Sequence, residues 1–189
     1  GGDVNAVAVS ADGEYIVVGS EDNKVYLFEK DSDTPLWSYS TGANVESVAI
    51  SADGEYITAG SHDDKVYLFE KDSSTPLWSY TTEEEVLSVS ISANGEYIAI
   101  SSKDDKVYLF NKDSSTPLWS YSTGDDVRTV AISAGGEYIV AGSNDDKVYL
   151  FNKDSSSPLW SYSTEAIVES VAISADGEYI VAGSNDDKI

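Results

Sequence analysis

His62 and a series of adjacent aspartates are the residues whose types and spacing could do chemistry. His62 is the only histidine and stands in "SHDDK", beside Asp63 and Asp64, so a Ser-His-Asp arrangement is the first to weigh. That chemistry needs a nucleophile brought to the imidazole, and the local sequence supplies none, so a solvated turn histidine is the simpler reading. Paired carboxylates recur at Asp63/Asp64, Asp104/Asp105, Asp145/Asp146 and Asp186/Asp187. Adjacent residues on a strand point to opposite faces, which suits two-carboxylate catalysis badly. The first aspartate is expected to cap its turn by accepting backbone N–H bonds, and the second to be solvated. "KDSDTP" (Lys30 to Pro35) and "DDK" offer hard oxygen ligands, so calcium is the cation to consider. No Asp-x-Asp-x-Asp-Gly loop is present and the acids are spread evenly. The expectation is therefore no catalytic residue, no cofactor and no metal centre, with calcium as a minor alternative.

The elements that must position these residues follow from repetition. Trp37, Trp78, Trp119 and Trp160 are spaced by 41 residues, as are Gly13, Gly54, Gly95, Gly136 and Gly177, each opening "GEY". The repeats run over 1–41, 42–82, 83–123, 124–164 and 165–189, a single domain with no linker. Within one period, "VESVAIS" (Val45 to Ser51) alternates apolar and polar residues and "ADG" (Ala52 to Gly54) is a turn. "EYITAGS" (Glu55 to Ser61) predicts a second strand and "HDD" (His62 to Asp64) a second turn. "KVYLFEK" (Lys65 to Lys71) predicts a third strand, and after "DSSTP" (Asp72 to Pro76) "LWSYTT" (Leu77 to Thr82) predicts a fourth. No helical spacing appears. Four short strands per unit of about 40 residues predict an all-β propeller of four-stranded antiparallel blades. The chain supplies four full blades and the first two strands of a fifth, eighteen strands in all.

"SVAISADGEYITAGSHDDKVYLF" resembles a WD-repeat blade: a strand, a Ser-x-Asp-Gly turn, then Gly-Ser-x-Asp before a strand ending in an aromatic. That family's Gly-His pair is missing, and Phe28, Phe69, Phe110 and Phe151 stand where it carries Trp. "KDSSTPLWSYST" is similar to quinoprotein-type blades, whose Asp-x-x-Thr-x-x-x-Trp stretch docks Trp between blades. The resemblance covers every period and implies a propeller. The quinoprotein likeness also raises, as a rival reading, a fragment of a propeller enzyme.

Charge narrows the partners. With 34 acids against 11 bases, the net charge of −23 repels nucleic acid and anionic membranes. No apolar run reaches the roughly 18 residues that span a bilayer, and no signal peptide is present, so a soluble module is expected, its compartment undetermined. An extracellular or high-salt setting is compatible with the acidity. The absence of cysteine removes disulfides and thiolate metal sites.

Variation between repeats points to function. The "SADGEY" and "KDSSTP" turns hardly change, whereas two other connections do. One supplies Asn5, Glu46, Leu87, Arg128 and Glu169; the other supplies Glu21, His62, Lys103, Asn144 and Asn185. Known propellers place both on one face around a central channel, so these ten residues form the expected binding face. Neutral drift at exposed positions is the plain alternative. Recurrent aromatics, Tyr15 and its repeats included, are expected to pack between blades. A fifth repeat of two strands leaves a sheet edge open. The expectation is a non-enzymatic interaction scaffold that binds protein ligands and is completed by copies of itself or by further blades. An amplified or engineered repeat array without a specific ligand is a further alternative.

Overall fold

The third strand of each repeat has apolar residues on both faces, so it must lie between two layers. In "KVYLF", Val66 and Leu68 alternate with Tyr67 and Phe69, and all four are buried. The computed structural model of the chain describes residues 1–186; Asp187 and Ile189, which the period aligns with Asp64 and Val66, lie outside them. Within that span each full repeat is one antiparallel sheet in chain order. The first comprises β1 (Val4–Val9), β2 (Tyr15–Ser20), β3 (Lys24–Glu29) and β4 (Trp37–Ser40). The second comprises β5 (Val45–Ile50), β6 (Tyr56–Ser61), β7 (Lys65–Glu70) and β8 (Trp78–Thr81). The third runs β9 (Val86–Ile91), β10 (Tyr97–Ser102), β11 (Lys106–Asn111) and β12 (Trp119–Ser122). The fourth runs β13 (Val127–Ile132), β14 (Tyr138–Ser143), β15 (Lys147–Asn152) and β16 (Trp160–Ser163). β17 (Val168–Ile173) and β18 (Ile180–Ser184) form a two-stranded sheet. The expected strands therefore form, each within a residue or so of the bounds read from sequence.

The sheets stack in order, β1 on β5, β5 on β9, β9 on β13 and β13 on β17. The cores lie between blades. Val17, Val25 and Leu27 of the first blade share one with Ile57, Ala59, Tyr67 and Phe69 of the second. Val66 and Leu68 share the next with Ile98, Ile100, Tyr108 and Phe110. Trp docks between blades as the quinoprotein likeness implies. Trp37, Trp78 and Trp119 lie 5.3 Å from Phe69, Phe110 and Phe151, ring centre to ring centre. Their indole N–H groups donate to the carbonyls of Lys71, Lys112 and Lys153 at 2.7–2.8 Å. Neighbouring turns are also tied, since Ala11, Ala52, Ala93 and Ala134 each donate a backbone N–H to the alanine 41 residues on.

Close approach decides the glycines of the second strands. A Cβ on Gly19, Gly60 or Gly142 would meet Val45, Val86 or Val168 of the next blade at 2.5–2.7 Å. The third blade carries Ser101 at this position, fully buried, with its hydroxyl unpartnered. Packing there differs from the other junctions.

The outer face of the first blade has no neighbour among the described residues. Val4 and Val7 are 60% and 64% exposed, whereas their equivalents Val45 and Val48 are 0% and 8% exposed. No helix of the described residues is long and apolar enough to cross a membrane.

Candidate functional site

Two variable positions in each repeat meet at one end of each blade, and a β-bulge brings them there. In the first strand pair Val45 lies opposite Ser61 and Ser47 opposite Gly60, so Glu46 is the extra residue. Asn5, Leu87, Arg128 and Glu169 occupy the same bulge in their blades. A bulge residue is freed from the ladder and its side chain is re-aimed. These five residues therefore lie within strands, one residue from the start, and not in the connection before them. Glu21, His62, Lys103, Asn144 and Asn185 begin the turns at the ends of the second strands, directly across.

Side chains pair along this face. His62 Nε2 lies 3.3 Å from Glu46 and 3.7 Å from Glu85 of the next blade. Lys103 Nζ reaches Glu85 at 2.6 Å, and this bond holds the Glu85 carboxyl below its ordinary range. Arg128 Nε donates to Asn144 Oδ1 at 2.7 Å, and Asn185 donates to Glu169 at 3.0 Å. Asn5 donates across the blade junction to the Val45 carbonyl at 3.3 Å. Leu87 is half-buried and Glu21 is exposed on the same rim. The face is thus a chain of polar pairs, and the groups that His62 faces are carboxylates.

The adjacent aspartates follow the sequence reading only in part. Asp63 Oδ2 accepts the Gly42 N–H at 2.6 Å and the Tyr67 hydroxyl at 2.6 Å. The capped backbone thus belongs to the loop leading into the blade, and in the third blade also to the aspartate's own turn, as expected: Asp104 accepts the Glu83 N–H on Oδ2 and the Lys106 N–H on Oδ1, each at 3.1 Å. Asp145 repeats the Asp63 bonds with Gly124 and Tyr149. Burial alone would raise the Asp145 carboxyl, but the bonds from Tyr149, Gly124 and Ser143 outweigh it and hold it below its ordinary value. The second aspartates, Asp64, Asp105 and Asp146, are half-buried and have φ of 64–65°, so they hold a left-handed turn rather than standing free in solvent. The sequence does not show that the tyrosine of the third strand would be the partner of the first aspartate.

One acidic grouping also escaped the sequence reading. Carboxylates of Asp105, Asp125 and Asp126 lie within 4.8 Å of one another. Partial burial and then the repulsion of Asp125 and Asp126 push the Asp105 carboxyl up. It joins "GDD" to a turn 20 residues upstream, a distance that motif spacing does not register.

A family model described as "Outer membrane protein assembly factor BamB" matches residues 2–95 and again 87–189. No curated protein matches the chain.

Proposed function

The chain belongs to the family of the outer membrane protein assembly factor BamB, and from that premise we propose that it is a non-enzymatic interaction scaffold. Its blades hold a rigid frame, and the bulge and turn residues of the rim are what a protein ligand reads. A family described by an assembly factor fits a protein that acts through contacts with other proteins. Copies associate through the uncovered apolar blade faces. Nucleic acid and anionic membrane are not partners in this reading, because net −23 repels both. No cofactor takes part, and neither calcium nor a quinone is needed to hold the rim together.

The observation that carries the reading is where variation falls. Blade cores, turns and docked tryptophans recur almost unchanged, while Glu46–His62, Glu85–Lys103, Arg128–Asn144 and Glu169–Asn185 differ in charge and shape around one rim. If these pairs serve recognition, the fold does not need them. Combining Glu46→Ala, Lys103→Ala and Arg128→Ala should then change stability to urea by no more than about 1 kcal/mol. A loss above about 3 kcal/mol would assign the pairs to the fold and sink the reading.

A further inference from the structure

Two carboxylates converge on one nitrogen of the only histidine. His62 Nε2 lies 3.3 Å from Glu46 Oε2 and 3.7 Å from Glu85 Oε2. An imidazole nitrogen has one proton to donate or one lone pair to offer. One N–H satisfies one acid, and a lone pair set between two is repelled by both. Lys103 supplies part of the missing positive charge, since its Nζ reaches the same Glu85 oxygen at 2.6 Å. The Glu46 carboxylate has no second ion pair or hydrogen bond among the described residues. Around a tetrahedral zinc ion, with ligand bonds of about 2.0–2.2 Å, neighbouring ligand atoms stand about 3.3–3.6 Å apart. The His62–Glu46 spacing already has that value, and the His62–Glu85 spacing exceeds it slightly. The side chains of His62, Glu46 and Glu85 are 29%, 40% and 32% exposed, open enough for an ion to reach them and for Glu46 to turn inward. Glu46 stands at the bulge and His62 at the turn of the second blade, while Glu85 leads into β9 of the third.

We propose that His62, Glu46 and Glu85 form a binding site for one zinc ion that bridges the second and third blades. His62 gives Nε2, each glutamate gives one oxygen, and water takes the fourth position. The imidazole separates this site from the purely acidic groupings of the chain, because hard cations such as calcium take oxygen ligands. Zinc must share the Glu85 oxygen with Lys103 or take it. The fold does not require the ion, and the reading of the rim as a protein-binding face stands or falls without it.

NMR of the full chain tests the proposal, because its single imidazole gives one set of ring signals. With calcium in excess to fill oxygen-only sites, zinc should shift the His62 ring signals and saturate at one ion per chain. His62→Asn and Glu46→Gln should each weaken zinc binding, measured by calorimetry, by at least about tenfold. Glu70→Gln, which removes the same charge at the far end of β7, should leave zinc binding unchanged. Lys103→Gln should bind zinc at least as tightly as the wild-type chain. The NMR titration uses the unaltered chain, so it remains decisive if a variant disturbs folding. The proposal is overturned if zinc leaves the ring signals unmoved. It also falls if His62→Asn or Glu46→Gln binds as tightly as wild type, which would be accumulation of cations by the net charge of −23 alone. Weaker binding by Lys103→Gln, or a loss in Glu70→Gln equal to that in Glu46→Gln, would sink it as well.

Discussion

At the scale of single residues, the Ser-x-Asp-Gly turn shows how much of the chain is dictated locally. Ser51 donates its hydroxyl to Asp53 at 2.6 Å while its oxygen accepts the Tyr56 N–H, and Gly54 takes φ of +75°. The glycine meets a second demand that only the stack creates, because Tyr of the preceding blade covers it. A Cβ on Gly95 would stand 2.4 Å from Tyr56 Cδ2, whereas one on Gly13 would meet nothing within 4 Å. Gly13→Ala should therefore cost about 1 kcal/mol for the left-handed backbone alone. Gly95→Ala should cost about 3 kcal/mol, since the overpacking adds to the same backbone strain. Urea unfolding of the two variants checks this, and equal losses would remove the packing role. Positive φ at these glycines is legible in Asp12-Gly13 and Asn94-Gly95, but the covering tyrosine is not, because it lies 39 residues away in sequence.

At the scale of the element, the turns before the third strands are held by ionised aspartates. Asp22 and Asp145 accept hydroxyls from Tyr26 and Tyr149, and both carboxyls sit below their ordinary value. Asp12, Asp53 and Asp176 are lowered too: serine hydroxyls and turn N–H groups bind their charged forms, in Asp53 against the pull of burial. A depressed carboxyl stabilises the fold above its unfolded pKa of about 3.9, and that stability drains away as the pH falls through the folded value. Asp145→Ala should cost about 2 kcal/mol at neutral pH by stranding Tyr149 and the Gly124 N–H. The gap between variant and wild type should narrow below about pH 4, where the wild-type carboxylate is itself titrated. Thermal unfolding across pH measures it, and a gap that does not change with pH would contradict the assignment. Strand existence and order were readable from alternation and turn residues. The bulges at Asn5, Glu46, Leu87, Arg128 and Glu169 were not, because a bulge is a two-strand property. "VESV" looks the same whether Glu46 is paired or extruded.

At the scale of the molecule, a stack of blades leaves its terminal faces different from its interior. Val4 and Val7 occupy positions that the second, third and fourth blades bury, and they and the neighbouring Val9 are all more than half exposed. Apolar faces of this kind favour association. The proposed self-association predicts a solution mass above 20.3 kDa that falls on dilution, and Val7→Asp should return it to the single-chain value. A mass of one chain at every concentration would dismiss it. The period of 41 made the propeller legible, but it could not say which faces lie uncovered. That depends on the order of stacking.

The irregularity of β10 has a kinetic meaning. Near-identical blades have a degenerate folding code, in which a strand placed one period out of frame makes nearly the contacts of one in frame. Ile100 sits where the second and fourth blades have Ala59 and Ala141, and its core partner Leu68 is paired across the ladder with Thr58. Ile100 is thus three carbons larger than the alanine that a strand of the second or fourth blade would bring to the same place, a volume change that a packed core resists. Ser101 adds volume on the opposite face, where three other blades have glycine. The third blade therefore carries a molecular address on each side, and the array counts its own units from the middle outward.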